Sequence, residues 1–586
     1  MQVYKPPVDE YRFLFETFGY DAIHALPGYE DYDLETVMSL VEQAGTFAKE
    51  KLLPLNRTGD HHGVKLDAKT HSVTTAPGFD AAYKELQSGG YLGLTHSPDH
   101  GGSGAPELLT VPFNEFFCAA NKAFSMCPGL THGLIEALAA HGSDALKERF
   151  LGKLVSGEWA GTMCLTEPQC GTDLGMLTTK AEPSGDHHLI TGTKIWITFG
   201  DQDITSNIVH LVLARLPDAP PGIKGISVFL VPKWNDDGSR NPAFCTGLEH
   251  KMGIHASPTC VMSFEGAKGY LVGEPHKGMR AMFTMMNAAR LLVGIEGLAL
   301  SEIAYQTALA FAQDRRQGRS LDTSKNEPAA AADNILVHPD VRRMLLEVKS
   351  TNMAMRGLAV WVGGLIDRSH KHADPEVRQQ ADDLVALMTP IIKSFCTERG
   401  FANISTSMQV MGGSGYTVDW SVEQYLRDAR IALIYEGTNH IQALDLVGRK
   451  LPKDGGRLYR AFTEHVNAFL AREEKNPAIA ALTDDVKGAM AVLDEATMGL
   501  AMKGMADGEE AAAVASPYLN LFGMVALSFV WFEMLVHAAK SGDGSLATRQ
   551  KFATYYVKHV LPEVHTLKTV IAEGKQHMMA VEAGEL

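Results

Sequence analysis

The stretch QVMGGSGYTVDWSVEQYLRDARIALIYEGTNHIQALDLVGR, Gln409–Arg449, decides how the rest of the chain is read. Within it, apolar residues run up to one carboxylate, Glu436, in Ile434-Tyr435-Glu436-Gly437-Thr438. Thr438 is a good N-cap for a helix carrying Ile441, Leu444, Asp445 and Val447. Burial among apolar side chains disfavours an ionised carboxylate, whereas exposed helix N–H groups favour it. Gly412-Gly413-Ser414-Gly415 reads as a flexible turn between helices. Ser421 and Gln424 have the spacing of a capping box for the helix VEQYLRDAR. On these residues alone, Glu436 is either a reactive carboxylate or a buried, satisfied glutamate at a helix start.

Upstream of this stretch the pattern is helical. Gly278 to Gly318 has helical period and no proline. A loop at Thr323–Asp333 follows, then a helix from Pro339 to about Lys371 and one from Pro375 to about Met411, with a kink expected at Pro390. With the helix after Thr438 these make a four-helix bundle.

From Gly161 to about Gly273 the texture is that of strands: GTMCLT, HHLITGTKIWIT, NIVHLVLARL, GISVFLVP and TCVMSFEG, broken by Pro, Gly, Asp and Asn. This spacing predicts a small β-barrel or sandwich. The part before it, to about residue 158, reads as all helical after a short lead-in of 34 residues. Its helices are expected at Asp33–Leu53, stopped by Pro54, and at Gly78–Leu86, Glu107–Asn121, Gly129–His141 and Asp144–Leu154. Beyond Lys450, PKDGGR is a linker, and 455–586 reads as amphipathic helices with a break at Gly-Asp-Gly, 542–544, and no chemical motif. The fold class is therefore α+β: an N-terminal extension (1–34), a helical domain (35–160), a β-domain (161–275), a helical bundle (276–450) and a C-terminal helical extension (455–586).

The chain has 586 residues, too many for one ordinary core. Its formal charge of −16 argues against nucleic acid or an anionic membrane surface as the main partner. The seven cysteines show neither CxxC pairing nor metal-like spacing with His, so reduced thiols, no metal and a cytoplasmic location are expected. The first residues carry acids early and no apolar core, so no signal or transit peptide is expected. The most apolar run, Leu521 to Phe532, is broken by Glu533 and is too short to span a bilayer, so it reads as a core helix.

Gln409-x-x-Gly412-Gly413-x-Gly415-Tyr416, Arg427-Asp428-Ala429-Arg430 and Ile434-Tyr435-Glu436-Gly437-Thr438-x-x-Ile441-Gln442 together resemble the C-terminal signature of the acyl-CoA dehydrogenase family. Cys164-Leu165-Thr166-Glu167-Pro168-Gln169-Cys170-Gly171-Thr172-Asp173 and Lys194-Ile195-Trp196-Ile197-Thr198 resemble two further family signatures in the β-domain. The resemblance covers about residues 35–450 and implies the family's order of helical domain, β-domain and bundle. It implies Glu436 as catalytic base. It implies bound FAD near Met163, Leu165, Thr166, Thr172, Trp196, Thr198, Arg315, Gln409, Gly413, Thr438 and His440, the last in place of the usual glutamine. It implies acyl-CoA near Thr172, Arg290, Tyr435, Glu436 and Gly437.

By the same resemblance Arg315, Gln409 and Gly413 reach FAD across a homodimer interface, although the T-F that follows the family's arginine is absent here. For Trp196 the residues alone favour a core anchor of the β-domain, and for Arg290 they leave open an ion pair with Glu296 or Glu302. Lys251–Cys260 with Gly269–Glu274 resembles the subgroup that handles 3-methylmercaptopropionyl-CoA, which also holds enzymes for straight-chain acyl-CoA. The implied reaction is FAD-dependent α,β-dehydrogenation of an acyl-CoA thioester to the trans-2-enoyl-CoA. An electron-transfer flavoprotein is the implied acceptor. The rivals are an acyl-CoA oxidase that returns electrons to oxygen and a flavin-bearing DNA-associated protein of the same fold.

Overall fold

The structure, a computed structural model, describes residues 2–542 and 544–586, the side chains of Asn287 and Ala288 excepted. Asp543, in the break expected at 542–544, lies outside the described residues. The chain forms two compact units: one from Gln43–Ala105 and Phe116–Leu292, the other from Met1–Glu42, Pro106–Glu115 and Val293–Leu586.

The first unit carries the strands. β1 (Lys65–Asp67) and β2 (Ser72–Thr74) form a short hairpin. β3 (Trp159–Cys164), β4 (Lys180–Ser184), β5 (His187–Thr198), β6 (Asn207–Arg215), β7 (Ile226–Pro232), β8 (Ala243–Leu248) and β9 (Thr259–Leu271) form one sheet. Its order is β3-β6-β4-β5-β9-β7, with β8 paired to β9. β6 also pairs with β7, so β6, β4, β5, β9 and β7 close into a ring. This is the expected barrel, with β4 and β8 added to the strands read from sequence.

β6 shows why its sequence is a continuous apolar run. Val212 and Ala214 join a core with Ile190, Phe229, Met262 and Phe264. Val209, Leu211 and Leu213 join a second core with Leu134, Leu138, Phe150 and Met285 on neighbouring helices. A strand buried on both faces has no polar face to show in its pattern.

Three helical expectations change here. The region before residue 158 is not all helical, because the β1–β2 hairpin interrupts it. Pro54 does not stop its helix. Leu34–Phe47 continues through a five-residue π turn, Ala48–Leu52, into Leu53–His62 with Pro54 in the first turn, where a missing N–H costs little. Glu107–Asn121 and Gly129–His141 are a single element, Thr110–His141, hinged at Asn121 (φ −157°, ψ 89°). Asn121 Oδ1 accepts the N–H of Phe124 and so caps the second half.

In the second unit the lead-in is itself helical, at Val8–Thr17 and Tyr20–His24. Pro339–Lys371 and Pro375–Met411 form as expected, and the latter runs on through Pro390 as one helix. Gly278–Asp314 stops four residues before Gly318. The helix after Thr438 is short, Asn439–Asp445 with a π turn to Lys450. The capping box at Ser421 does not form: Ser421 makes no side-chain cap, and Gln424 Nε2 donates to Asp428 instead. Between the helices Arg356 is fully buried, 2.6 Å from Glu115 and 3.1 Å from Glu302.

The segment after residue 455 departs furthest from its reading. Ala515–Ser541 is 27 residues long and nearly all buried, not amphipathic. By length and apolar composition this longer helix could cross a membrane, yet 89% of its most apolar window is buried inside the protein, as in a core helix. It packs on Pro339–Lys371, Pro375–Met411 and Asn439–Asp445. A Cβ on Gly523 would lie 2.5 Å from the Phe395 ring, and one on Gly357 2.5 Å from Val530 Cγ1. The tail is thus a core layer of the bundle.

Candidate active site

The residues singled out by motif fall in both units, and each set is built by its own unit. In the bundle unit, Glu436 sits in a turn where two successive residues are left-handed, Glu436 at φ 56° and Gly437 at φ 78°. A glutamate pays for such a backbone, a glycine does not. The turn is over-determined. Gln442 Nε2 donates to the carbonyls of Glu436 (3.4 Å) and Gly437 (3.1 Å). Thr438 Oγ1 accepts the N–H of Ile441, so the expected N-cap is present. Asn439, next in the chain, is buried, and its Oδ1 accepts from Lys393 Nζ at 2.9 Å while its Nδ2 donates to Ser394 O and Thr397 Oγ1. On the other side Tyr435 Oη donates to Glu296 at 2.5 Å. Strain held in place by its surroundings marks functional positions. Glu436 itself is half-buried, with its carboxylate Oε2 turned away from solvent.

In the β-domain, Trp196 is the outlier. It lies in β5 at a register shift between Lys194 and Ile197, has φ 60°, and is 59% exposed. The reading as a core anchor is therefore wrong: a bulge turns the indole out of the sheet. Beneath it, the two signatures are bolted together. Lys194 Nζ lies 2.8 Å from Glu167 Oε1 and donates to Leu165 O, and Ile195 N–H donates to Thr166 O. Glu167 also accepts from Thr178, Thr179 and Gln169. Burial by itself would raise the Glu167 carboxyl, but Lys194 and these donors outweigh it and hold it at about 2. Burial lowers Lys194 while Glu167 opposes that shift, and the effect of the pair is to fix where Thr166 and Trp196 stand. The motif letters contain both residues, but no sequence spacing announces their contact.

The site's donor set fits a flavin. Among the described residues neither the N–H nor the hydroxyl of Thr166 has a protein partner, and the exposed indole of Trp196 supplies a flat apolar face. Met163, Leu165 and Thr198 are half-buried and Thr172 is exposed at this strand end. Gln409 and Gly413 are exposed. Arg315 is also exposed, whereas Arg316 and Arg319 pair with Glu327 and Asp333. Thr438 is half-buried, and His440 Nδ1 lies 3.1 Å from Ser516 Oγ, which ties the short helix to the tail. Arg290 is 4% exposed on the helix Gly278–Asp314. Glu302, on the same helix, meets Arg356, Asn352 and Gln306.

Family models describe this chain over most of its length. The N-terminal, middle and C-terminal domains of acyl-CoA dehydrogenase match residues 35–158, 162–267 and 276–451, and an "acetyl-CoA dehydrogenase C-terminal like" domain matches 462–582. The 3-methylmercaptopropionyl-CoA dehydrogenase of Ruegeria pomeroyi is 40% identical over 577 residues, 96% of each chain. A butyryl-CoA dehydrogenase of Syntrophomonas wolfei is 35% identical over 477 residues, 78% of this chain and 77% of its own. The structure of an acyl-CoA dehydrogenase complexed with FAD from Bacillus anthracis has the same fold, with a TM-score of 0.75 at 21% identity over 96% of this chain and 91% of its own.

A closed barrel between helical segments, with a strained glutamate turn and an outturned tryptophan, belongs to a flavin-dependent oxidoreductase. The chain is a member of the acyl-CoA dehydrogenase family, and its cofactor is FAD.

Proposed function

We propose that Glu436 is the base that removes the α-proton of an acyl-CoA thioester, and that 3-methylmercaptopropionyl-CoA is the substrate. The left-handed turn at Glu436–Gly437 carries the first part. It sets the carboxylate on a backbone that is costly for a glutamate and is held there by its surroundings. End-to-end similarity to the Ruegeria protein, tail included, supports the second part. Butyryl-CoA is the nearest straight-chain competitor, by the same kind of similarity.

FAD supplies the hydride acceptor when bound. The protein's own work is alignment and polarity. Thr166 and Trp196 hold the flavin edge and face, with Met163, Leu165, Thr172 and Thr198 around them. The backbone N–H of Glu436 is a donor for the thioester carbonyl, where charge develops as the α-proton leaves. Tyr435 and Gly437 flank it. Arg290 holds the acyl-CoA as a cation on an apolar helix. Arg315, Gln409, Gly413, Thr438 and His440 meet the cofactor, the first three from the partner copy of a homodimer. Their exposure in the protomer supports that arrangement. Electrons leave to an electron-transfer flavoprotein. The enzyme works in the cytoplasm without a membrane span; seven buried cysteines, outside any disulfide, fit a reducing compartment.

Anaerobic titration with acyl-CoA thioesters tests this reading. 3-Methylmercaptopropionyl-CoA should bleach the flavin with a higher kcat/KM than butyryl-CoA. Faster reduction by butyryl-CoA would overturn the substrate, and bleaching by neither would overturn the reaction. Rapid peroxide formation in air would favour an oxidase over transfer to a flavoprotein.

A further inference from the structure

A cluster outside the flavin-associated residues joins His96, His132 and Glu136, all in the unit that carries the barrel. His132 and Glu136 are four residues apart on the helix Thr110–His141, so they share one face. His96 comes from the loop that precedes that helix. Its imidazole bridges the other two: Nδ1 is 3.1 Å from Glu136 Oε1, and Nε2 is 3.2 Å from His132 Nδ1. The two rings are tilted 31° to each other with centroids 4.8 Å apart. One ligand-type atom from each of the three residues lies within 4.8 Å of the others.

The loop is built to present His96. The N–H of Gly104 donates to the His96 carbonyl, that of Ser103 to Gly93 and that of Ala105 to Leu94. A Cβ on Gly102 would fall 2.1 Å from the His96 carbonyl oxygen, so only glycine lets the loop close. His96 is 4% exposed, while the Glu136 side chain keeps 32% of its surface, which leaves a way in from solvent.

A buried histidine needs only a polar partner for each nitrogen, and a backbone carbonyl would serve. Two imidazoles set against each other and backed by a carboxylate are a different construction. Two imidazole nitrogens bound tetrahedrally to one ion at 2.0–2.1 Å stand roughly 3.3 Å apart. The His96 Nε2 to His132 Nδ1 separation of 3.2 Å matches that spacing. The remaining nitrogen of His96, Nδ1, faces Glu136, which is the carboxylate–histidine arrangement that fixes the tautomer of a metal ligand.

We propose that His96 Nε2 and His132 Nδ1 bind a borderline transition cation of the zinc type, with Glu136 orienting His96 and balancing the ion's charge. The nitrogen donors exclude magnesium and calcium, which take oxygen. Sequence spacing hides the site, because the two histidines are 36 residues apart and no cysteine is involved.

The test uses the full chain with FAD bound, dialysed against chelator and titrated with Zn2+ by calorimetry. Wild type should take up one ion per chain. His132→Ala should lose that uptake, and Glu136→Gln, which keeps an acceptor but not the charge, should weaken it by about 10–100-fold. Far-UV circular dichroism and FAD content establish that each variant is folded. The proposal is overturned if wild type binds no stoichiometric Zn2+, in which case the three groups form only a hydrogen-bonded chain. It is equally overturned if both folded variants bind like wild type, since the ion then sits on others of the 23 histidines.

Discussion

Glu167 Oε1 lies 2.8 Å from the ammonium of Lys194, and both side chains are shut away from solvent. The pair links the loop that carries Thr166 to the strand that carries Trp196. Removing one partner of a buried pair strands the other charge and costs about 3–5 kcal/mol. Lys194→Met should therefore lower both the melting temperature and FAD occupancy, even though Lys194 itself touches no ligand in the proposed chemistry. A Lys194→Met protein with wild-type FAD content would show that the pair does not position the flavin residues.

The same pair sets a pH dependence. Burial opposes Lys194 and the threonine donors and loses, and the Glu167 carboxyl is held at about 2 rather than its ordinary 4.5. A carboxyl depressed in the folded state binds its proton less well there than in the unfolded chain. Its contribution is present above about 4.5 and is lost as pH falls toward 2. Stability of the wild type should drop across that window more steeply than that of Glu167→Gln. Equal slopes in urea unfolding at a series of pH values would refute this.

Glu436→Gln keeps size and hydrogen-bonding reach but removes basicity. It should bind FAD and acyl-CoA normally while flavin reduction slows at least ~100-fold. Gly437→Ala attacks the same point through the backbone. Gly437 is left-handed, and its Cβ would fall 2.6 Å from Gln442 Nε2. It should slow reduction with the carboxylate still present. Stopped-flow bleaching at the wild-type rate in Glu436→Gln would remove Glu436 from the mechanism.

Arg290→Ala should raise the Kd for acyl-CoA more than it lowers FAD content. Equilibrium binding of a non-reacting acyl-CoA, run beside a flavin assay, separates the two. Parallel loss of both would make Arg290 a packing residue of the helix Gly278–Asp314.

Gly523→Val should be destabilising by about 1–3 kcal/mol through overpacking against Phe395. Truncation at residue 455 should give aggregation, because it strips the layer formed by Ala515–Ser541 from the two long bundle helices. A truncated protein that stays soluble in its original assembly state would contradict that role.

Where periodicity was strong, the chain was legible. β5 alternates and is bounded by turns, and Pro339–Lys371 and Pro375–Met411 carry prolines at their first turns, so these elements stand where the pattern puts them. β1 and β2 are three residues each, too short for any period to register. Pro54 was misleading because a π turn absorbs it. Ala515–Ser541 is apolar all round, so it has no face to reveal that it is a core layer rather than part of an amphipathic tail. Within the site, Glu436 and Thr438 were readable from local chemistry. The outward turn of Trp196 was not, because a bulge depends on the partner strand. The Glu167–Lys194 contact and the Lys393–Asn439 brace join residues 27 and 46 apart, a distance over which one sequence holds no signal.

The late position of Ala515–Ser541 has a consequence for how the protein is made. Synthesis runs from the N-terminus, so Pro339–Lys371 and Pro375–Met411 leave the ribosome well before the helix that covers them. Until Ser541 has emerged, Phe395 and Gly357 face no Gly523 and no Val530. A premature stop between Lys450 and that point therefore yields a chain with every motif of its chemistry and no finished bundle, a substrate for quality control instead of a smaller enzyme.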